Sequence, residues 1–313
     1  MFFKVLEKIK EYNKIIIHRH SRPDGDAIGS QAGLKFLITD NFPEKTVYTV
    51  GDSSARFSFI EGSETDVISD SEYEGALAVI LDTSASSLIS DTRYTLAKER
   101  VRIDHHIFCE KIAETELTDT HYESCAGLVA DLAIKTGLTI TERAAAALFT
   151  GMVTDSGRFR YDSTSADTFR IASRLRALPF STEQIYSSLY ADDLSFLKLR
   201  ASFTLRITET DAPVAYIYTT KEELKELSID PFTASRGMVG TMSDLRGIDA
   251  WVNFTETDEG VLCELRSSKY NVNPIATRHG GGGHQKASGA TLKDRAEAEE
   301  VISELITLTR ESV

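Results

Sequence analysis

Short apolar runs of strand length alternate with amphipathic or alanine-rich segments over about the first 180 residues. Strands that alternate with helices favour an α/β fold with a mostly parallel sheet. The predicted strands are residues 14–18, 45–50, 76–82 and 101–104, and the predicted helices are residues 26–38, 124–135 and 141–155.

The pattern changes after residue 182. A polar helix is predicted over 182–199, strands over 202–207, 214–219, 250–255 and 261–266, and an amphipathic helix over 294–309. We therefore expect an N-terminal domain over 1–185, a helical linker over 186–205 and a smaller α/β C-terminal domain over 206–313.

Acidic residues and histidines follow three of the predicted strands. The first cluster holds His20, Asp24 and Asp26, the second is Asp82, and the third is the triplet 104–106. In an open α/β sheet, ligands bind beyond the carboxyl ends of the strands. Aspartates and histidines delivered to one crevice from three strand ends are what a hydrolytic two-metal site requires.

Each cluster also has a purely structural explanation. Asp26 could cap the helix that follows it, and Asp82 could do the same within its Asp-Thr-Ser turn. The adjacent His105 and His106 are rarely structural directly after an apolar strand. Asp155 is predicted in the last turn of a helix, where the helix dipole disfavours an acid, which indicates another purpose.

Composition narrows the class of protein. The apolar content of 41% and the charged content of 27% are ordinary for a globular protein. No apolar run is long enough to span a membrane, and Cys109, Cys125 and Cys263 form no spaced pair, which predicts a reduced, cytoplasmic protein. The net charge of −13 argues against a long nucleic-acid footprint but leaves room for a small anionic substrate.

Several motifs together carry a family resemblance. They are HSRPDGDAIGS from His20, Leu81-Asp82, the triplet Asp104-His105-His106, TGMVTDSGRFRY ending at Tyr161, and NPIATRHGGGGHQKASGA from Asn273. In this order and spacing the chain resembles the DHH phosphoesterase superfamily with its DHH-associated C-terminal domain. The compact layout is similar to the branch of bacterial bifunctional oligoribonucleases (nanoRNases) and phosphoadenosine-phosphate phosphatases.

The resemblance implies a catalytic domain over 1–185, a substrate-binding domain over 206–313 and an active site in the cleft between them. It implies two Mn²⁺ ions per chain, with Mg²⁺ or Co²⁺ as substitutes. His106 would donate to the phosphate or supply a proton, and Asp104 would orient a ligating histidine. The implied ligands are His20, Asp24 and the bridging Asp82 for one ion, and Asp26, Asp82, His105 and Asp155 for the other.

The glycine run at residues 280–283 is the segment that we expect to contact the substrate and select it. Residues without Cβ let backbone N–H groups approach a phosphate or a base closely, and an arginine can bind phosphate with two hydrogen bonds. The alternative is a flexible loop. The predicted substrate contacts are Arg266, Ser267, Gly281, Gly282, Gly283 and His284.

We therefore expect a phosphoesterase that hydrolyses short oligoribonucleotides to mononucleotides and dephosphorylates 3′-phosphoadenosine 5′-phosphate by two-metal hydroxide attack. The alternatives are a phosphodiesterase for linear or cyclic dinucleotide second messengers and a nucleotide-binding regulator with vestigial catalysis. No membrane partner is expected, and the sequence leaves open whether the chain forms a homodimer.

Overall fold

The computed structural model describes residues 1–311, which divide into two compact units. Unit 1 is Met1–Ala191, and unit 2 begins at Asp192. The division falls inside the segment 186–205, which the sequence assigned to a linker. Each unit has a hydrophobic core of its own.

Unit 1 is built on a five-stranded parallel sheet in the order β2-β1-β3-β4-β5. The central strands are apolar along most of their length because helices or loops cover both faces, and this made them visible in the sequence. The strands are β1 Lys14–His18, β2 Thr46–Thr49, β3 Leu77–Leu81, β4 Glu99–Asp104 and β5 Thr115–Thr118.

The helices of unit 1 are α1 Phe2–Glu11, α2 Gly25–Asn41, α3 Cys125–Thr136, α4 Glu142–Asp155, α5 Ala166–Arg176 and α6 Thr182–Tyr190. Helices α2 and α4 approach closely because glycines meet at their contact. A Cβ on Gly29 would lie 2.6 Å from the carbonyl oxygen of Ala147. A Cβ on Gly151 would lie 2.6 Å from the Cβ of Ala126 and 2.9 Å from a carboxylate oxygen of Asp26.

Unit 2 contains a six-stranded mixed sheet in the order β10-β11-β9-β8-β7-β6, in which only β7 and β8 pair in parallel. Its strands are β6 Thr208–Glu209, β7 Val214–Thr219, β8 Ala250–Thr257, β9 Gly260–Ser267, β10 Gly282–His284 and β11 Ala287–Leu292. Its helices are α7 Leu194–Thr204, α8 Lys221–Leu227, α9 Asn273–Arg278 and α10 Arg295–Glu311.

Two sequence predictions are wrong in the region between the units. The predicted strand 202–207 is the end of α7 and the turn after it, and the predicted helix 182–199 is interrupted between α6 and α7. The interruption occurs where Asp193 takes an extended conformation as the N-cap of α7. No helix among the described residues is both long and apolar enough to cross a bilayer.

Candidate metal centre

The clusters found in the sequence converge at one edge of the unit 1 sheet. Strands β1, β3 and β4 are neighbours and parallel, so the residues that follow them emerge side by side. His20 follows β1, Asp82 follows β3, and His105 follows β4. The start of α2 and the end of α4 supply the remaining carboxylates to the same place.

Asp82 lies at the middle of the cluster. One carboxylate oxygen, Oδ2, is 3.5 Å from Nε2 of His20, and the other, Oδ1, is 3.4 Å from Nε2 of His105. Each oxygen therefore faces a different histidine, which is the arrangement expected of a carboxylate shared between two cations.

Three groups of side chains offer donor atoms within 4.8 Å of one another. Two of them agree with the predicted sets, apart from the shared Asp82 in the second. The third adds the ring of His106 to Asp82 and His105, so His106 also lies within reach of a cation. The groups are His20, Asp24 and Asp82; Asp26, His105 and Asp155; and Asp82, His105 and His106.

The burial and hydrogen bonding of the Asp82 side chain show whether the site suits a cation. Its side chain is 2% exposed, and Oδ1 accepts no hydrogen bond from any described residue. A buried carboxylate oxygen without a hydrogen-bond donor is costly unless positive charge compensates it. The donor set therefore fits a divalent cation.

The pKa values of the clustered side chains also indicate a site suited to a cation. Burial opposes the charged form of His20, but the carboxylates of Asp24 and Asp82 outweigh it and raise its pKa to about 10. The same balance, with Asp82 and Asp26 as partners, raises the pKa of His105 to about 10. Burial, opposed in part by the charge of His105, raises the pKa of Asp155 to about 6. In the absence of a cation the crowded carboxylates therefore keep His20 and His105 protonated, and a bound cation would displace these protons.

Asp24 and Asp26 anchor two different helices. The Asp24 side chain accepts hydrogen bonds of 3.0 Å from the backbone N–H groups of Asp26 and Ala27, so Asp24 is the cap of α2. Asp26 instead accepts from Cys125 and Ala126 in the first turn of α3, at 2.7 and 2.8 Å. The idea that Asp26 caps its own helix is therefore wrong.

Asp104 contacts a different histidine from the one expected. Its Oδ1 accepts a 2.7 Å hydrogen bond from Nδ1 of His106, whereas Nδ1 of the ligand candidate His105 faces the carbonyl oxygen of Tyr122 at 3.3 Å. The other carboxylate oxygen pairs with the fully buried guanidinium of Arg102. The hydrogen bond to Asp104 raises the pKa of His106, so Asp104 both orients this ring and favours its protonated form.

Backbone strain is concentrated around the centre. Among the described residues other than glycine, positive φ angles occur at Arg22, Asp82, Arg158, Phe159 and Ser228. Asp82 is a metal candidate itself, and Arg22, Arg158 and Phe159 lie within four residues of one along the chain. Such conformations are rare for residues with a Cβ and cluster at functional sites. This strain was not predictable from the sequence, because no glycine or asparagine occupies these positions.

The glycine run of unit 2 forms an edge strand and not a flexible loop. Strand β10 pairs with β11, and Asn273 donates a 2.7 Å hydrogen bond to the carbonyl of Gly283. The register places His284, Ala287 and Arg266 in one row across β10, β11 and β9. Gly281 lies just before this strand, where a Cβ would clash with the carbonyl of Gly289.

Arg266 and Ser267 differ in what they can offer a ligand. Glu264 accepts hydrogen bonds from Arg266 at 3.1 Å and from Arg236 at 2.9 Å. It therefore holds two guanidinium groups near the glycine strand, as we call β10. The Ser267 hydroxyl is buried, donates to the carbonyl of Asp249 and accepts from two backbone N–H groups. Its contacts give no support for the predicted role of Ser267 in substrate binding.

Comparison with known sequences agrees with this geometry. Residues 14–152 match the DHH family, N-terminal domain, and residues 227–311 match the DHHA1 domain. The bifunctional oligoribonuclease and PAP phosphatase NrnA of Bacillus subtilis is 32% identical over 311 residues, which cover 98% of each chain. The chain belongs to the DHH family. The probable bifunctional oligoribonuclease and PAP phosphatase NrnA of Streptococcus mutans is 34% identical over 310 residues, which cover 99% of each chain.

Solved structures share the DHH fold. An exopolyphosphatase-related protein from Bacteroides fragilis is 25% identical, with a TM-score of 0.85 over 98% of this chain and 95% of that chain. RecJ from Thermus thermophilus, solved in complex with Mn²⁺, is 12% identical, with a TM-score of 0.50 over 99% of this chain and 54% of that chain. These likenesses confirm the predicted α/β fold class.

Proposed function

We propose that this DHH protein is a metal-dependent phosphoesterase that cleaves short oligoribonucleotides to mononucleotides and removes phosphate from 3′-phosphoadenosine 5′-phosphate. The observation that carries the proposal is the position of Asp82, whose two oxygens face His20 and His105 from a buried strand end. Relatives with these two activities in their names match the chain over nearly its whole length.

The cations would be held by the two predicted ligand sets, with Asp82 common to both. His20 and Asp24 complete the first set. Asp26, His105 and Asp155 complete the second. Manganese suits mixed carboxylate and imidazole ligands, and Mg²⁺ or Co²⁺ are reasonable substitutes. Bound cations of this kind supply positive charge that offsets the phosphate oxygens and activates water.

The chain's own residues supply the rest of the chemistry. His106, held by Asp104 through Nδ1, keeps Nε2 for a phosphate oxygen or for the leaving oxygen. The buried Arg102 prevents Asp104 from turning away, since it also donates to the carbonyl of Glu110 at 3.0 Å. In unit 2, the glycine strand, His284 and Arg266 are the candidates for holding the nucleotide.

One comparison tests the proposal. The protein is freed of metal, reloaded with Mn²⁺, and given linear diadenylate, 3′-phosphoadenosine 5′-phosphate, a cyclic dinucleotide and a ten-nucleotide RNA. We expect metal-dependent release of AMP from the first two, with lower initial rates on the others. Fastest turnover of the cyclic dinucleotide would favour a second-messenger phosphodiesterase, and binding without any turnover would favour a regulator.

A further inference from the structure

The turn directly after Asp155 has an unusual backbone. Gly157, Arg158 and Phe159 are consecutive residues with φ of 56°, 66° and 62°. The N–H of Arg158 donates to the carbonyl of Val153 at 2.8 Å, and the N–H of Phe159 donates to the hydroxyl of Ser156 at 2.9 Å. Residues with a Cβ adopt this conformation at an energetic cost, so their side chains must have a compensating use.

Packing of the side chain explains the positive φ of Phe159 but not that of Arg158. The Phe159 ring lies 5.8 Å from Phe149 and 5.7 Å from Phe169, measured between centroids, and it contacts the core of unit 1. Arg158 is exposed to solvent. The turn therefore directs one side chain inward and displays an arginine three residues beyond a metal-ligand candidate.

Arg158 is held in place by an aromatic ring. Its guanidinium carbon lies 3.9 Å from the centroid of Tyr190, whose ring in turn lies 6.0 Å from that of Tyr186. A cation over the face of an aromatic ring is attracted by the ring, and the guanidinium has five N–H groups, so several can still donate to oxygens of a ligand. Burial raises the pKa of the Tyr190 hydroxyl, while the charge of Arg158 and a hydrogen bond from it oppose this rise.

The local charge contrasts with the rest of the molecule. The chain carries a net charge of −13, and the centre to which Asp155 contributes is crowded with carboxylates. An arginine displayed three residues after Asp155, at a backbone cost, fits an anionic group bound next to the cations. The proposed substrates carry such a group, since 3′-phosphoadenosine 5′-phosphate has a second phosphate and a short oligonucleotide has a neighbouring one.

We propose that Arg158, positioned by Tyr190, binds the phosphate of the substrate that is not cleaved. This inference rests on the proposed function and names one determinant of its specificity. Arg158 and Tyr190 together would favour substrates with two phosphates over those with one, because charge-assisted hydrogen bonds from a pre-positioned guanidinium are strong.

The test compares 3′-phosphoadenosine 5′-phosphate with adenosine 3′-monophosphate, which lacks only the second phosphate. KM and kcat are measured by phosphate release, and the affinities of the metal-free protein for both nucleotides are measured by calorimetry. Wild-type protein should prefer the diphosphate, and R158Q should reduce this preference about tenfold or more. R158K should lie between them because it keeps the charge but not the planar fork.

Two control variants accompany R158Q. R174Q removes another exposed arginine of unit 1, in the last turn of α5, and should keep the wild-type preference. Y190F retains the aromatic ring and should retain the wild-type preference for the diphosphate. Y190L removes the ring and should lower this preference. Melting temperatures check that each variant is folded.

Equal affinity of wild-type protein for the two nucleotides, or an unchanged preference in R158Q, would overturn the inference. Because calorimetry does not require turnover, these results are decisive even for an inactive preparation. Absence of metal-dependent phosphate release from both nucleotides would instead count against the proposed function.

Discussion

At the scale of single residues, Asp82 decides whether the centre holds its cations. Its φ of 50° is a conformation that asparagine also tolerates, so Asp82→Asn should keep the backbone while removing the charge. Loss of an outer hydrogen bond to a metal ligand costs about 10- to 100-fold in metal affinity, and loss of a shared ligand should cost at least that. We expect lower bound manganese and nearly complete loss of diadenylate hydrolysis.

The measurement is metal content by elemental analysis alongside initial rates. Asp167→Asn, which neutralises an exposed carboxylate in the first turn of α5, is the matched control and should behave as wild type. Wild-type metal content in Asp82→Asn would remove Asp82 from both ligand sets.

The two adjacent histidines should separate into different roles. His105 lies with Nε2 3.4–3.8 Å from carboxylate oxygens of Asp82, Asp155 and Asp26, so His105→Ala should lower metal occupancy. His106 is tied to Asp104, so His106→Ala should retain the metal and lower kcat by about 10²- to 10⁴-fold, as for loss of a general acid. A metal-deficient His106→Ala protein would make His106 a ligand, as its proximity to Asp82 allows.

At the scale of elements, the close contact of α2 with α4 sets the spacing of the carboxylates. Gly151→Ala would place a methyl group against Ala126 and the Asp26 carboxylate. Overpacking of this kind typically costs about 1–3 kcal/mol. We expect a lower melting temperature together with weaker manganese binding. Gly240→Ala, whose added Cβ meets nothing within 4 Å, is the control, and equal effects of the two changes would contradict this role of the contact.

The elements also show what the sequence can and cannot reveal. Strands β1, β3 and β4 and the residues after them were predictable, because buried parallel strands are apolar and their ends carry the chemistry. Short β5, with its alternating polar residues, was missed. The Arg102–Asp104 pair and the turn at 157–159 depend on tertiary contacts and a backbone conformation that no residue pattern marks.

At the scale of the whole molecule, the metal-free protein should lose stability as pH rises. The pKa values of His20 and His105 are about 10 in the folded protein, above the ordinary value of about 6.5. Their contribution to stability is therefore complete below about pH 6.5 and is lost as pH rises towards 10. Thermal melts in EDTA should show this decline, and saturating Mn²⁺ should reduce it because the cation replaces the protons. A melting temperature that does not change over this range would contradict the charge balance inferred for the centre.

The overall charge of the molecule predicts a preference for short substrates. Extended single-stranded RNA is normally held by a positively charged groove, and a chain with a net charge of −13 is poorly suited to provide one. Activity should therefore fall as RNA lengthens, because longer chains gain few contacts and more repulsion. The resemblance to the nanoRNase branch, and not the charge, suggests that this fall occurs beyond about five nucleotides. KM for a trinucleotide should also depend weakly on salt, since few phosphates are engaged.

Initial rates on RNAs of two to twenty nucleotides, at two salt concentrations, measure both effects. His284→Ala should weaken turnover of dinucleotides and leave the metal content unchanged, whereas a simple activated phosphodiester should be affected less because it requires little nucleotide recognition. Equal rates on a dinucleotide and a twenty-nucleotide RNA would mean that the molecule holds long RNA despite its charge. A basic surface would then have to be sought among its exposed arginines and lysines.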